Sequence, residues 1–194
     1  MASADQLRLE VAHTVLFVHD VDKMIAFYRD VLGFEVADRG PLGPLGSEEI
    51  VFMSQIANHH HQVAFITGRA DPAKSNSHHH TAYRSAGTLD DLKALLATLE
   101  AHAEVSDIMP LTHGNAWSIY FSDPEHNGVE VFLDTPWHVQ QPQAKPLDLT
   151  KSNDEIVAAT QAAFADEPEF GDLGEFYDER AAHLAERTSS RSAQ

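Results

Sequence analysis

The chain has 194 residues, no cysteine, thirteen histidines and a formal net charge of −17. That length holds one domain with a substantial core. The lack of cysteine excludes disulfides and thiolate metal ligands, and the acidic balance excludes nucleic acid and anionic membrane as partners, since both are held by basic patches. No run approaches the roughly 20 apolar residues of a membrane span. The start M-A-S-A-D-Q-L-R lacks the apolar core of a signal peptide, so the expected location is the cytoplasm.

In chain order, the first strand is expected around Val11–Val18 and the first helix around Asp22–Leu32. Met24, Ile25, Phe27, Tyr28, Val31 and Leu32 recur there at helical spacing. Asp20 or Asp22 can cap its start, and Gly33 can stop it. Three strands follow, Phe34–Asp38, Ile50–Gln55 and Gln62–Thr67, with Gly40–Gly46 expected as a loop. The same order then recurs. A strand around His79–Ser85 precedes a helix over Leu89–His102, where Thr88 and Asp91 resemble a capping box. Strands at Val105–Met109, Ala116–Phe121 and Val129–Leu133 complete the second copy, with S-D-P-E-H-N-G as the last turn. From Thr135 to Pro146 the chain is a proline-punctuated connector. Ser152 with Glu155 then caps one helix, and a second is expected at 172–187, with disorder after Thr188.

This βαβββ pattern, used twice, predicts an α+β fold. Paired modules at about 8–68 and 76–134 form a cup-shaped, partly open mixed β-barrel within residues 1–136, and a connector and acidic helical extension occupy 137–194. The tail is too short for its own core and must pack on the cup or on a second subunit.

Strand parity then sorts the histidines. His13 shares a face with Val15 and Phe17, His80 with Ala82 and Arg84, and Glu130 with Phe132. His13 and His80 open equivalent strands of the repeat, and Glu130 lies on its last strand. Two imidazoles and a carboxylate on one face of a metal leave open positions, the pattern of non-haem Fe(II) oxygen chemistry. His79 and His80 point to opposite faces, so only one of them can share that site, and His60 competes with His61 in the same way.

Four segments carry a family likeness: the stretch H-T-V-L-F-V-H-D-V-D-K-M-I-A-F-Y-R-D-V-L-G-F-E-V from His13, H-H-Q-V-A-F at 60–65, H-H-T-A-Y at 79–83, and H-G-N-A-W-S-I-Y-F-S-D-P-E-H-N-G-V-E-V at 113–131. The chain resembles the vicinal oxygen chelate superfamily, and within it the type I extradiol dioxygenases of the catechol 2,3-dioxygenase kind. The resemblance covers about residues 8–136. It implies that His13, His80 and Glu130 bind the metal, Fe(II) first and Mn(II) as the other candidate. It further implies that His61 is the acid/base group, and that Tyr120 and His113 are active-site residues. The implied substrates are an aromatic diol and O2. Phe17, Phe132, Trp117 or Trp137 could wall the ring, and Arg84 could meet an acidic substituent. The segment between His113 and Tyr120 is two residues shorter than the family pattern, and Glu125-His126 replaces the usual Asp-Gly.

Other members of the superfamily set the alternatives. A glyoxalase or epimerase adds a fourth ligand, commonly a carboxylate near the end of the first module, and no Asp or Glu lies between residues 50 and 70. A fosfomycin-modifying thiol transferase would bring basic residues for a phosphonate. A drug-sequestering binding module would lack the ligand set. The expected assembly is a homo-oligomer.

Overall fold

The computed structural model describes residues 10–42, 47–71 and 77–192, with side chains through residue 186. Alternation in the first strand, β1 (Thr14–Val18), sends Val18 into the interior and leaves Val15 and Phe17 outside. The first helix, α1 (Val21–Asp30), is capped by Asp20, whose carboxylate accepts from Lys23 N at 3.0 Å. It buries Met24, Phe27 and Tyr28. Each such burial contributes about 1.5–3 kcal/mol. Gly33 follows at φ +75°, the left-handed stop anticipated from the sequence.

Three strands complete the first sheet: β2 (Glu35–Pro41), β3 (Glu49–Ser54) and β4 (Val63–Thr67), in the order β1-β4-β3-β2. β1 and β4 run parallel, with Thr14 opposite Val63, and the other pairs are antiparallel. The expected loop from Gly40 begins later, because Gly40 and Pro41 belong to β2. β2 is an edge strand, where proline forfeits no ladder bond. Residues 43–46 of that expected loop lie outside the described residues.

The second copy supplies β5 (Thr81–Arg84), α2 (Leu89–Ala101), β6 (Ser106–Thr112), β7 (Ala116–Ser122) and β8 (Gly128–Asp134). The Thr88–Asp91 capping box forms at the start of α2. The connector expected without regular structure contains two short strands, β9 (Trp137–His138) and β10 (Lys145–Pro146). Lys145 pairs with Thr112 and Pro146 with Leu111, which makes the second sheet β10-β6-β7-β8-β5. Helix α3 (Asn153–Phe164) carries the Ser152–Glu155 capping box. β11 (Gly171–Asp172) pairs with β9, and α4 runs over Leu173–Ser192. α4 thus passes Thr188, where disorder was expected; E-R-T-S-S-R-S contains no glycine or proline to stop it.

Two compact units emerge. One comprises residues 1–11, 110–118 and 132–194, and the other residues 12–109 and 119–131. In the first, the helical tail packs on strand ends of its own chain. Trp117 Nε1 donates to Thr160 Oγ1 at 2.8 Å, and Phe164 is fully buried. Gly114 (φ +81°) makes room there, since a Cβ would sit 2.5 Å from Val139 Cγ1.

In the second unit one aromatic core backs both modules. Tyr28 packs on Phe65 and Phe34, Phe34 on Tyr83, and Phe27 on Phe121. The turn after β7 is clasped to the β1–α1 corner. Glu125 accepts from His19 N at 2.8 Å and Asp20 N at 2.6 Å, and lies 3.5 Å from Arg69 Nη1. Arg69 also donates to the Glu125 carbonyl at 3.0 Å. The Glu125 that departs from the family turn is therefore a buried structural tie. Asp123 beneath it is fully buried, and burial raises its carboxyl above the ordinary range, opposed by hydrogen bonds from Asn127. No helix among the described residues is long and apolar enough to cross a membrane.

Candidate metal centre

The order β7-β8-β5 sets Tyr120, Glu130 and His80 side by side on adjacent strands. His80 Nε2 lies 3.1 Å from Glu130 Oε2. Two donors at right angles around an octahedral ion, each at about 2.1 Å, stand about 3 Å apart, so this pair has the spacing of neighbouring metal ligands. Tyr120 donates to the Glu130 carboxylate, and its ring meets His80 edge-on at 5.2 Å. Burial, followed by the Glu130 carboxylate, pushes the Tyr120 phenol well above its usual range, so it stays protonated as a donor. Glu130 itself is 7% exposed.

Backbone proximity fixes His80. At Gly128 a Cβ would fall 2.0 Å from the His79 carbonyl oxygen, so only glycine lets β8 start this close to β5. His79 and His80 touch through their Nδ1 atoms, 2.6 Å apart, which leaves His80 Nε2 for Glu130. A cavity of about 420 Å³ opens in front, lined by His79, His80, Tyr120, Asp107, Ser122 and Met109 among others.

A second histidine pair lies at the N-terminal ends of β1 and β4, which run parallel and therefore start together. The His13 and His61 rings are 4.2 Å apart, and Phe52 packs on His61 at 4.8 Å. Burial, then the neighbouring His13 and His60, hold the His61 imidazole below its ordinary range, favouring the neutral ring. His60 turns to Asp38 instead, Nε2 to Oδ2 2.8 Å, so it is His61 that stands against His13.

The structure thus brings together His80, Glu130 and Tyr120, and separately His13 and His61. Among the described residues no three of the metal-ligating types gather around one point. Phe17 is 60% exposed on β1, and Phe132 is half-buried on β8. Arg84 lies four residues beyond His80 and lines a separate cavity of about 590 Å³ with Tyr83, Leu95 and Gln55. His113 is held by the Gln143 carbonyl, and Trp137 stacks on Phe170 at 5.9 Å. Trp117 is buried and donates to Thr160.

Sequence reasoning missed Asp107. It accepts from Ser122 Oγ at 2.7 Å at the cavity wall. Its backbone is at φ 55°, which breaks the alternation of β6, so no parity argument could have placed it.

The glyoxalase/bleomycin resistance protein/dioxygenase superfamily model matches residues 10–131. Similar solved structures include a glyoxalase family protein from Bacillus cereus (14% identity, TM-score 0.50, covering 69% of this chain and 99% of that one). They also include the trypanothione-dependent glyoxalase I of Leishmania major (20% identity, TM-score 0.49, 65% and 87%). A third is the fosfomycin resistance protein FosX of Listeria monocytogenes, solved with Mn(II) and sulfate (19% identity, TM-score 0.46, 66% and 95%). No curated protein sequence matches the chain.

Proposed function

Because the chain belongs to the glyoxalase/bleomycin resistance protein/dioxygenase superfamily, we propose that it is an Fe(II)-dependent extradiol dioxygenase that cleaves a catechol-type ring with O2. The observation that carries this reading is the His80–Glu130–Tyr120 cluster beside an open cavity. Its donor set of imidazole and carboxylate fits a divalent first-row metal, and His13 is the third ligand of the proposal. Iron so bound would supply a Lewis-acidic, redox-active face with open positions; Mn(II) fits the same donors.

The chain's own groups do the rest. A diol must lose protons as it binds, and a neutral imidazole can take one. His61 has that state because burial and two neighbouring imidazoles disfavour its cation. Tyr120 stays protonated and can hydrogen-bond a substrate oxygen. Exposed Phe17 offers apolar surface for a ring, and Arg84 offers a cation for an acidic substituent. The metal-dependent isomerase reading asks for a further carboxylate ligand, and Asp107, the carboxylate that lines this cavity, accepts from Ser122 Oγ.

The test is anaerobic loading with Fe(II), then a panel of catechols under O2. A yellow ring-cleavage product with matching O2 uptake supports the proposal. Iron-loaded protein that consumes no O2 with any diol rejects it, and Ni(II)- or Co(II)-dependent isomerisation of a hemithioacetal would favour the glyoxalase chemistry.

A further inference from the structure

We propose that the cavity of about 590 Å³ between the end of α1 and the β5–α2 corner is a second small-molecule site, built for an apolar monocarboxylate. It goes beyond the reading of the metal centre and does not depend on it.

The cavity breaks two otherwise buried stripes. On α2, Leu92 is 2% and Leu99 0% exposed, and Leu95 lies between them on the same helical face. Leu95 is only half-buried, because the cavity stands where its packing partner would be. On β8, Val131 shares a face with Val129, which is 1% exposed, and is again half-buried against the same cavity. Val31, Leu32 and Ile56 add apolar wall from the first module, and Ile56 is 41% exposed. Protein interiors close over such side chains and leave few voids. Here they stay part-covered, and a ligand with an apolar body would complete their burial.

The walls are held in place by their own chain. Gln55 N donates to Gln62 Oε1 at 2.8 Å, and Gln55 Nε2 donates to the Leu32 carbonyl, so the connection from β3 to β4 is tied to the end of α1. Phe34, 2% exposed, packs on Tyr83 at 5.3 Å and joins the two modules at the cavity wall. On the other side, the Thr88–Asp91 capping box and the bond from Gly87 N to Ser85 Oγ at 3.0 Å hold the β5–α2 corner. A site preformed in this way spends little binding energy on ordering its walls.

Charge selects the other end of the ligand. Arg84 brings a guanidinium whose five N–H groups form a fork that matches a carboxylate. Ser85 adds a hydroxyl and Gln62 an amide nitrogen to the same wall. None of the described residues lining the cavity is Asp or Glu, in a chain with 30 acidic residues against 13 Lys and Arg. A carboxylate is therefore drawn to this point of a molecule that repels anions elsewhere. Arg84 is also the one Lys or Arg among those lining residues, which suits a single negative charge and not a phosphate dianion. It lines this cavity and not the one in front of His80, so it can hold an acidic group that is no part of the diol.

Isothermal titration of the full chain with octanoate, and with octanol as its neutral counterpart, tests the site. The wild type should bind octanoate at one site per chain, about tenfold or more tighter than octanol. Arg84→Ala should abolish that preference, weakening octanoate by about tenfold and leaving octanol unchanged, the size of one charge-assisted hydrogen bond. Ala86→Phe, at an exposed position of the wall, should fill the cavity and weaken both ligands while the far-ultraviolet spectrum stays unchanged. Titrations with and without Mn(II) should coincide. Octanoate that binds Arg84→Ala as tightly as the wild type overturns the carboxylate assignment, and a wild type that takes up neither ligand overturns the site. Octanoate binding that requires Mn(II) would place the ligand on the metal centre, and binding only by protein diluted to a monomer would give the cavity to a second copy; either result overturns the proposal. None of these outcomes bears on whether iron-loaded protein cleaves a catechol.

Discussion

His80 Nε2, just ahead of β5, faces Glu130 Oε2 on β8 at 3.1 Å, while the ring of His79, one residue earlier, meets His80 through Nδ1 at 2.6 Å. One residue of strand phase separates a candidate ligand from its neighbour. His80→Ala should therefore abolish metal retention and His79→Ala should largely preserve it, as read by metal content after gel filtration. Equal losses would place both rings on the ion, and the opposite order would invert the strand phase.

Gly128 sets the distance between β8 and β5. Gly128→Ala puts a methyl 2.0 Å from the His79 carbonyl, a clash with backbone that no side-chain rotation relieves. Destabilisation of about 2–3 kcal/mol is expected, with metal affinity lost alongside. Urea unfolding of the metal-free protein measures the first and Mn(II) titration the second. An unchanged midpoint would mean that the two strands can part cheaply.

The Glu125 carboxylate, 8% exposed, accepts from two backbone amides and pairs with Arg69 at 3.5 Å. Glu125→Ala strands those donors, and such losses from buried, charged hydrogen bonds run to about 3 kcal/mol. Denaturant unfolding should show it, and Glu125→Gln, which keeps one acceptor oxygen, should lose less. A neutral result for Glu125→Ala would show the turn free of the β1–α1 corner.

Much of this was legible in the sequence. The repeat and the caps at Thr88 and Ser152 follow from local periodicity and capping chemistry, which one sequence displays, whereas the choice of His80 as partner of Glu130 came from the family resemblance. What was not legible depends on tertiary choice. Glu125 looked like a neutral turn substitution because its partners, His19, Asp20 and Arg69, are distant in sequence. Asp107 was hidden by a backbone at positive φ. The expectation of a cup with His13 beside His80 drew on strand pattern and family resemblance together; among the described residues His13 stands against His61, and His80 against Glu130. Strand pattern does not say which face of a sheet an aromatic core will occupy.

The cap of α3 gives a pH test with a defined sign. The Ser152 hydroxyl, then its amide, lower the Glu155 carboxyl below its ordinary range. A carboxyl depressed on folding contributes stability that is fully present above its unfolded value of about 4.3 and is lost as pH falls through the lower folded value. Acidification below about pH 4.5 should therefore erode the stability difference between wild type and Glu155→Gln. A difference independent of pH from 7 to 3 would exclude the carboxylate as the source.

Tyr120 is held as a protonated donor against Glu130. Tyr120→Phe removes the hydroxyl and leaves the ring beside His80. Metal affinity should change little while turnover of a catechol falls by about ten- to a hundredfold, within the range for loss of one positioned donor. Steady-state kinetics on metal-matched samples would show it, and unaltered kcat would remove Tyr120 from the chemistry.

The most direct measurement of the central claim is the fate of oxygen in the product. Iron-loaded protein turning over a catechol under ¹⁸O2 should give a ring-opened product carrying both labelled atoms, by mass spectrometry on product trapped before exchange with water. A product formed without label from O2 would contradict the dioxygenase account.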